Sequence, residues 1–395
     1  MASHQLKGTQ NMDQPGTDLE DQDQDQDQKD YLNNLTIVVP TYHRPSHVLA
    51  TVKFWAVRGP RLLILDGSPS PIKDGGLYDS MKDLTYVHLP YSFQSRLVHS
   101  AEYIQTDYVT LMGDDEVSMP SSLMASMKEL EENPELASCL GWAVGFNCIA
   151  RKGSATKIDG FPVYEGLHFL ENNHEYASER LFAHFDRYEA SNIYSVVRTD
   201  VYKNAMKIIN TPGDRVFALA EYEFEIAILY QGGNRVLPNL HWLRNLGGTT
   251  KFTKDPDTSR KKMFYEYFLD PKYSVWKEEF LLTRSEALAE IDGQEVTQVR
   301  IWLEGALQRF AEKDKEKAVL VRLNSSTEQQ FYLFLRKFLR NIVPTSQRYR
   351  AREISNKIKR RNRVSSLHEV VRSLHLKGMN YSEEELDQVM QERFL

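Results

Sequence analysis

Between Leu35 and Met112 the chain repeats one design: a short aliphatic run, an interruption by Pro, Gly or Asp, then a stretch with apolar residues at helical spacing. The runs are LTIVVP, RLLILD, LTYVHLP and DYVTLM. They read as apolar throughout instead of alternating, which predicts strands buried on both faces. Between them, Val48, Val52 and Trp55, and then Leu97, Ala101 and Ile104, fall at helical intervals. Strands alternating with helices predict an α/β class with a mainly parallel sheet flanked by helices. Ligands bind such sheets beyond the carboxyl ends of the strands. Tyr42, Asp66 and Asp114 interrupt three of the runs, so they are expected to face one crevice.

The segment TDYVTLMGDDEVSMP puts Asp114, Asp115 and Glu116 at the tip of a buried strand. Gly and Asp are ordinary turn formers, and a solvated loop is the plain account of such a tip. Clustered carboxylates, however, repel one another and gain from a cation that bridges them to an anionic ligand. Hard oxygen ligands suit Mg²⁺ or Mn²⁺, which keep open positions for phosphates. A diphosphate leaving group carries charge that such a Lewis acid offsets.

VVPTYHRP, LILDGS and DYVTLMGDDEVSMPSSL, in this order and spacing, resemble the nucleotide-binding elements of GT-A glycosyltransferases. The likeness is to the inverting family 2 group in particular, whose DxD-type motif ends the fourth strand. RLFAHFDRYEASNIYSVVRTD and EYEFEIAILYQGGNRVLPNLHWLR extend it toward a little-characterised group of microbial glycosyltransferase domains. It covers the chain from Leu35 to about Arg244. The resemblance implies a GT-A fold and a metal-dependent, hexosyltransferase-like activity. A sugar would move from a nucleotide-diphosphate donor, a UDP-sugar in the first place, to a hydroxyl of a saccharide or lipid-linked acceptor, with inversion.

Carried over position by position, Pro40 and Tyr42 would flank the nucleotide base, with Thr41 in the turn between them, and Asp66 would accept from the uracil or ribose. Arg96 would meet the diphosphate. Asp114 would hold the ribose or the metal's water shell, while Asp115 and Glu116 would ligate Mn²⁺ or Mg²⁺, with His241 as a late metal ligand. Leu65 stands where the family usually has a second aspartate. An inverting transfer also needs a base for the acceptor hydroxyl. The family places an acid at the start of a later helix, where FALAEYEFEIAIL offers Glu221, with Glu223 as substitute. Glu221 lies four residues before Glu225 on one helical face, so a solvated face is the plain alternative.

Residues 1 to 30 hold seven Asp and one Glu against two Lys, which accounts for the whole formal net charge of -6. Such a polar tract buries too little apolar area to offset its ordering entropy. The expected organisation is a disordered acidic tail over 1–33, a GT-A domain over 34–254 and a helical extension over 255–395. In the extension, SEEELDQVMQERF opens with a capping-box pattern, Ser382 and Glu385. QQFYLFLRKFLRNIV has one apolar stripe, and Arg336 to Arg363 holds eleven Lys or Arg against the single acid Glu353. Two roles stay open for 331–363: docking on the protein's own core, or peripheral contact with an anionic membrane surface. No nucleic-acid module is recognisable, and nucleic acid is not expected as a partner. Two cysteines give no disulfide framework, and the expected location is cytoplasmic, or at the inner face of a membrane if 331–363 adsorbs. A nucleotidyltransferase would be expected to show a glycine-rich loop after the first strand, and VVPTYHRPS has no glycine. A catalytically inactive nucleotide-sugar-binding protein is the other alternative.

Overall fold

The computed structural model describes residues 29–73, 76, 78, 81–151, 154–169, 171–210, 217–247, 264–342 and 365–394, the side chains of 149–151, 154–157, 168–169, 217–218 and 320–342 excepted. The acidic tract before residue 29 and the basic stretch 343–364 lie outside the described residues. So do the side chains of the amphipathic stripe that begins at 331. The expected tail disorder and membrane contact fall on these segments.

Among the described residues ten strands form one sheet: β1 (Leu35–Thr41), β2 (Arg61–Asp66), β3 (Leu84–His88), β4 (Tyr108–Leu111), β5 (Val117–Ser118), β6 (Leu136–Arg151), β7 (Ser154–Pro162), β8 (Val196–Arg198), β9 (Gly233–Asn245) and β10 (Ser365–Ser366). Their order is β10-β7-β6-β8-β4-β1-β2-β3, with β9 paired to β6 and β5. The α/β class is as the sequence implies. Parallel pairing holds from β3 through β2 and β1 to β4. Beyond β4 the sheet is mixed. Strand β8 enters antiparallel to both β4 and β6, and β6 and β7 are consecutive strands joined by a short connection, which forces antiparallel pairing.

Strands β1, β2 and β4 show why they read as unbroken apolar runs, whereas β3, at the end of the sheet, is only partly buried. Ile37 and Val39 of β1, with Leu62 and Ile64 of β2, enter one core, while Val38, Leu63 and Leu65 enter another on the opposite face. Successive side chains point to opposite faces of a strand, so a sheet covered on both sides requires apolar residues at every position. Helices α1 (Pro45–Trp55) and α3 (Pro120–Glu132) cover the first of these faces. Helices α2 (Phe93–Ser100), α4 (Ala177–Asp186), α5 (Thr199–Ile209) and α6 (Phe217–Gln231) supply side chains to the second. Val48, Val52 and Trp55 are buried, as their spacing implies.

The carboxyl-terminal third joins both cores. Helix α7 (Phe264–Phe268), α8 (Ser274–Asp292) and the first turns of α9 (Val296–Ile342) add Phe264, Phe280, Leu303 and Phe310 to the α6 side. Helix α10 (Leu367–His375) and α11 (Glu383–Phe394) add Val371, Leu386 and Met390 to the α1 side. Packing therefore continues across residue 254. At the other end Lys29 to Leu32 are helical and Leu32 is fully buried, so the folded body begins before residue 33.

The carboxyl ends of β1 and β2 are tied from behind. Arg96 of α2 is 2% exposed, and its Nη1 donates to the carbonyls of Thr41 at 2.6 Å and Leu65 at 3.1 Å. It fits because residue 67 is glycine: a Cβ there would lie 2.4 Å from the Arg96 Cζ. Gly67→Ala is expected to push Arg96 off these carbonyls and destabilise the fold by about 1–3 kcal/mol, the usual cost of overpacking. The check is a lowered urea midpoint at unchanged slope.

Candidate active site

Strands β1 and β4 are neighbours, with Val38 opposite Leu111, so the segments that leave them emerge side by side. Thr41 Oγ1 donates to Asp114 Oδ2 at 2.7 Å. Arg44, just before α1, donates through Nη1 to Asp114 Oδ1 at 2.7 Å. The same nitrogen lies 2.8 Å from Asp115 Oδ2, an ion-pair contact that is not an aligned hydrogen bond. That oxygen is buried and accepts no hydrogen bond among the described residues.

Glu116 belongs to a second group. Pairing of Val117 with Leu243 and of Ser118 with Trp242 brings β9 against the acids. Trp242 Nε1 donates to Glu116 Oε2 at 3.0 Å, and Arg244 Nε lies 3.6 Å from Oε1. Burial pushes the Glu116 carboxyl up to about 7, against the pull of Arg244 and the Trp242 hydrogen bond. The Trp242 ring stacks on Tyr194 with centroids 4.0 Å apart and on Tyr164 at 5.3 Å. The Arg244 guanidinium lies over these rings, 5.2 Å from Tyr164 and 5.5 Å from Trp242, within cation–π reach. The Tyr194 hydroxyl is raised above its ordinary range by burial first, and then by the charges of Glu116, Glu221 and Asp115. These three carboxylates are therefore within electrostatic reach of one phenol.

The other residues singled out from the sequence are placed as follows. Pro40 and Tyr42 are partly exposed at the end of β1, and Thr41 is buried. His43, next to them, has a positive φ of 57°, a conformation sparsely used by non-glycine residues and often met at functional turns. Asp66 is 0% exposed. Its Oδ1 accepts from the Ser68 N–H at 2.9 Å, and its Oδ2 from the Ile72 N–H at 3.1 Å and from the Tyr86 hydroxyl. In this structure it builds the loop after β2 and presents no exposed oxygen to a ligand. Arg96, expected at a diphosphate, is the buried tie between β1 and β2.

His241 is buried, with Nδ1 2.9 Å from Ser122 Oγ and Nε2 3.4 Å from the Tyr194 carbonyl. Burial lowers its ring to about 4, so it is neutral near pH 7. Among the described residues no three His, Cys, Asp or Glu side chains are grouped as metal ligands. Asp115, Glu116 and His241 thus form no joint ligand set. Strand alternation separates them: Trp242 and Arg244 turn toward Glu116, and His241 turns away.

On α6, Glu221 is partly exposed, whereas Glu223 and Glu225 are buried. Glu225 Oε2 lies 2.8 Å from His184 Nε2. Glu223 Oε1 accepts from Arg284 of α8 at 2.8 Å and 2.5 Å. Burial raises the Glu223 carboxyl to about 7, with Arg284 opposing. Glu223 is a core ion-pair partner, which corrects its place as substitute base. Sequence reasoning missed Arg44, Tyr164, Tyr194 and Arg393. For Arg44 a signal existed, since three adjacent acids require cations and YHRP follows a neighbouring strand. For Arg393 there was none, because it lies far along the chain.

No protein-family profile matches the chain, and no curated protein matches it. Among solved structures it is similar to residues 1–349 of S. aureus TarS in complex with UDP-GlcNAc, at 13% identity, covering 70% of this chain and 72% of that one with a TM-score of 0.46. It is likewise similar to the complex of that fragment with UDP, at 12% identity, covering 70% and 71% with a TM-score of 0.42. Identities and scores of this size carry no activity or residue role from those proteins to this chain.

Replacing Arg284 by Met strands a buried carboxylate, and removal of one partner from such a pair costs about 3–5 kcal/mol. The loss is expected to be largest above pH 7 and to shrink at lower pH, where Glu223 takes up a proton and its burial no longer confines a charge. Urea midpoints at pH 5 and pH 8, roughly either side of that titration, are the measurement.

Proposed function

We propose that this chain is a metal-dependent glycosyltransferase that moves a sugar from a nucleotide-diphosphate donor, with a UDP-sugar as first candidate, to an acceptor hydroxyl with inversion. The observation that carries the reading is the network at the carboxyl ends of β1 and β4. Thr41 and Arg44 hold Asp114, and the buried Asp115 Oδ2 accepts no hydrogen bond. The crevice beyond parallel strand ends is where such folds take nucleotides. A carboxylate oxygen that meets one guanidinium nitrogen and accepts no aligned hydrogen bond keeps lone pairs for a hard cation, and Mg²⁺ or Mn²⁺ commonly uses one or two protein carboxylates together with substrate phosphates. Asp115 would hold the ion, without help from Glu116 or His241. The ion would act as a Lewis acid on the diphosphate leaving group.

The chain's own residues divide the remaining work. Pro40 and Tyr42, partly exposed at the end of β1, flank the nucleotide base. Asp114, held by Arg44 and oriented by Thr41, accepts from the ribose. Arg44 and Arg244 place two guanidinium groups beside the acids, where they attract the donor's phosphates. Glu221, the partly exposed acid at the start of α6, accepts the proton from the acceptor hydroxyl as it attacks the anomeric carbon from the face opposite the leaving group. A direct displacement of this kind inverts the anomeric centre. The acceptor class that fits is a saccharide or a lipid-linked hydroxyl. Among the described residues no helix is long and apolar enough to cross a membrane.

Wild-type protein is expected to hydrolyse UDP-glucose or another nucleotide-sugar slowly in Mn²⁺ and not in EDTA. Release of pyrophosphate from a nucleoside triphosphate would instead indicate a nucleotidyltransferase. Asp115→Asn is expected to abolish the Mn²⁺ dependence of donor binding, because an amide is a poor ligand for a hard cation; calorimetry with UDP, with and without Mn²⁺, reads this. Glu221→Gln is expected to leave UDP affinity nearly unchanged and to lower transfer by about 10²-fold or more. Turnover at the wild-type rate would remove Glu221 from the role.

A further inference from the structure

Helix α11 sends two side chains into the segment that carries the acids. Arg393 Nη2 donates to the backbone carbonyl of Asp114 at 2.6 Å and also to Thr51 Oγ1. Thr51 donates to the same carbonyl at 3.2 Å. At the start of α3, Glu385 accepts the Ser121 N–H at 2.8 Å and the Ser121 hydroxyl at 2.6 Å. Contacts of α11 therefore bracket the stretch from Asp114 to Ser121.

The helix is anchored without these contacts. Leu386, Val389 and Met390 are buried in the α1-side core. Glu392 pairs with Arg58 at 2.7 Å, and the Phe394 ring meets Phe146 at 4.6 Å between centroids. Arg393 is 6% exposed, and the charges acting on it are those of Asp114 and Asp115. A guanidinium buried this deeply is costly unless its charge and donors are used. Here Nη2 is spent on the Asp114 carbonyl and on Thr51 Oγ1, while Nε is buried without a hydrogen-bond partner among the described residues; the carbonyl contact fixes the direction in which the following side chain leaves. A main-chain carbonyl held in this way requires no ligand to order it, so the turn is preorganised.

We propose that α11 is a splint for the acid-bearing turn, and that Arg393 is a positioning residue which, through the Asp114 carbonyl, fixes the direction of the Asp115 carboxylate. The benefit to donor binding rests on the function proposed above; the splint itself does not.

The test uses the full chain with Arg393→Met, which keeps the aliphatic bulk, and Arg393→Lys, which keeps a charged donor. Backbone hydrogen exchange is read over residues 113–118 and over 386–390, and affinity is read with UDP plus Mn²⁺. The Met variant is expected to exchange about 10-fold faster or more over 113–118, with 386–390 unchanged, and to bind UDP more weakly; the Lys variant is expected to recover most of both effects. Unchanged exchange over 113–118 in the Met variant overturns the proposal. So does equal loosening over 386–390, which would make Arg393 an anchor of α11, or a Lys variant as loose as the Met one. If wild-type protein binds no UDP while the turn responds as expected, the donor reading fails and the splint stands. If it binds UDP and the turn does not respond, the splint fails alone.

Discussion

Three consecutive carboxylates at the tip of a buried strand repel one another, and the architecture around the crevice is arranged to offset that repulsion. Arg44, from the end of the neighbouring strand, meets Asp114 and Asp115. Arg244, from β9, approaches Glu116. Arg393, from α11, takes the Asp114 carbonyl. Each guanidinium comes from a different part of the chain, so the acidic turn is held in this way only when β1, β9 and the last helix are all assembled. Partial burial strengthens every one of these interactions, because the solvent that would screen them is excluded.

This arrangement separates two kinds of carboxylate that look alike in sequence. Asp66 and Glu223 are both buried and committed to the protein's own groups, one to a loop and the other to Arg284. Asp115 is also buried, and one of its oxygens accepts no hydrogen bond, as is true of Glu223 Oε2; what sets Asp115 apart is its place beyond the carboxyl ends of β1 and β4, beside Asp114 and Arg44. A polar atom left in that state is expensive for stability, and it is the kind of position where a ligand repays the cost. Glu221 differs again by remaining partly exposed at the entrance to its helix. Environment, more than residue type, divides acids that hold the fold together from acids available for chemistry.

The aromatic shelf of Tyr164, Tyr194 and Trp242 connects these groups. Its central tryptophan donates to Glu116, while its outer face lies under Arg244. Tyr194 feels the charge of both the acidic turn and Glu221. Of this shelf only Trp242 stands beside His241 in the sequence; Tyr164 and Tyr194 come from distant segments. A one-residue difference along a strand exchanges the two faces of the sheet, and no local pattern in LHWLR decides which face meets the acids.

Local pattern was enough to determine the α/β class, the first four strands, the helix through Val48, Val52 and Trp55, and the acidic turn at a strand's carboxyl end. Those features depend on residues near one another in the chain, where periodicity reports burial directly. Tertiary structure alone decided that the sheet is mixed beyond β4, that the last third belongs to both cores, and which acids remain available. The pattern at Ser382 and Glu385 shows the division well: Ser382 does receive the Glu385 N–H, yet the Glu385 side chain reaches Ser121 instead of closing the box. Hydrogen-bond capacity can be read from residue type, but its partner is settled by which distant segments the fold brings within reach.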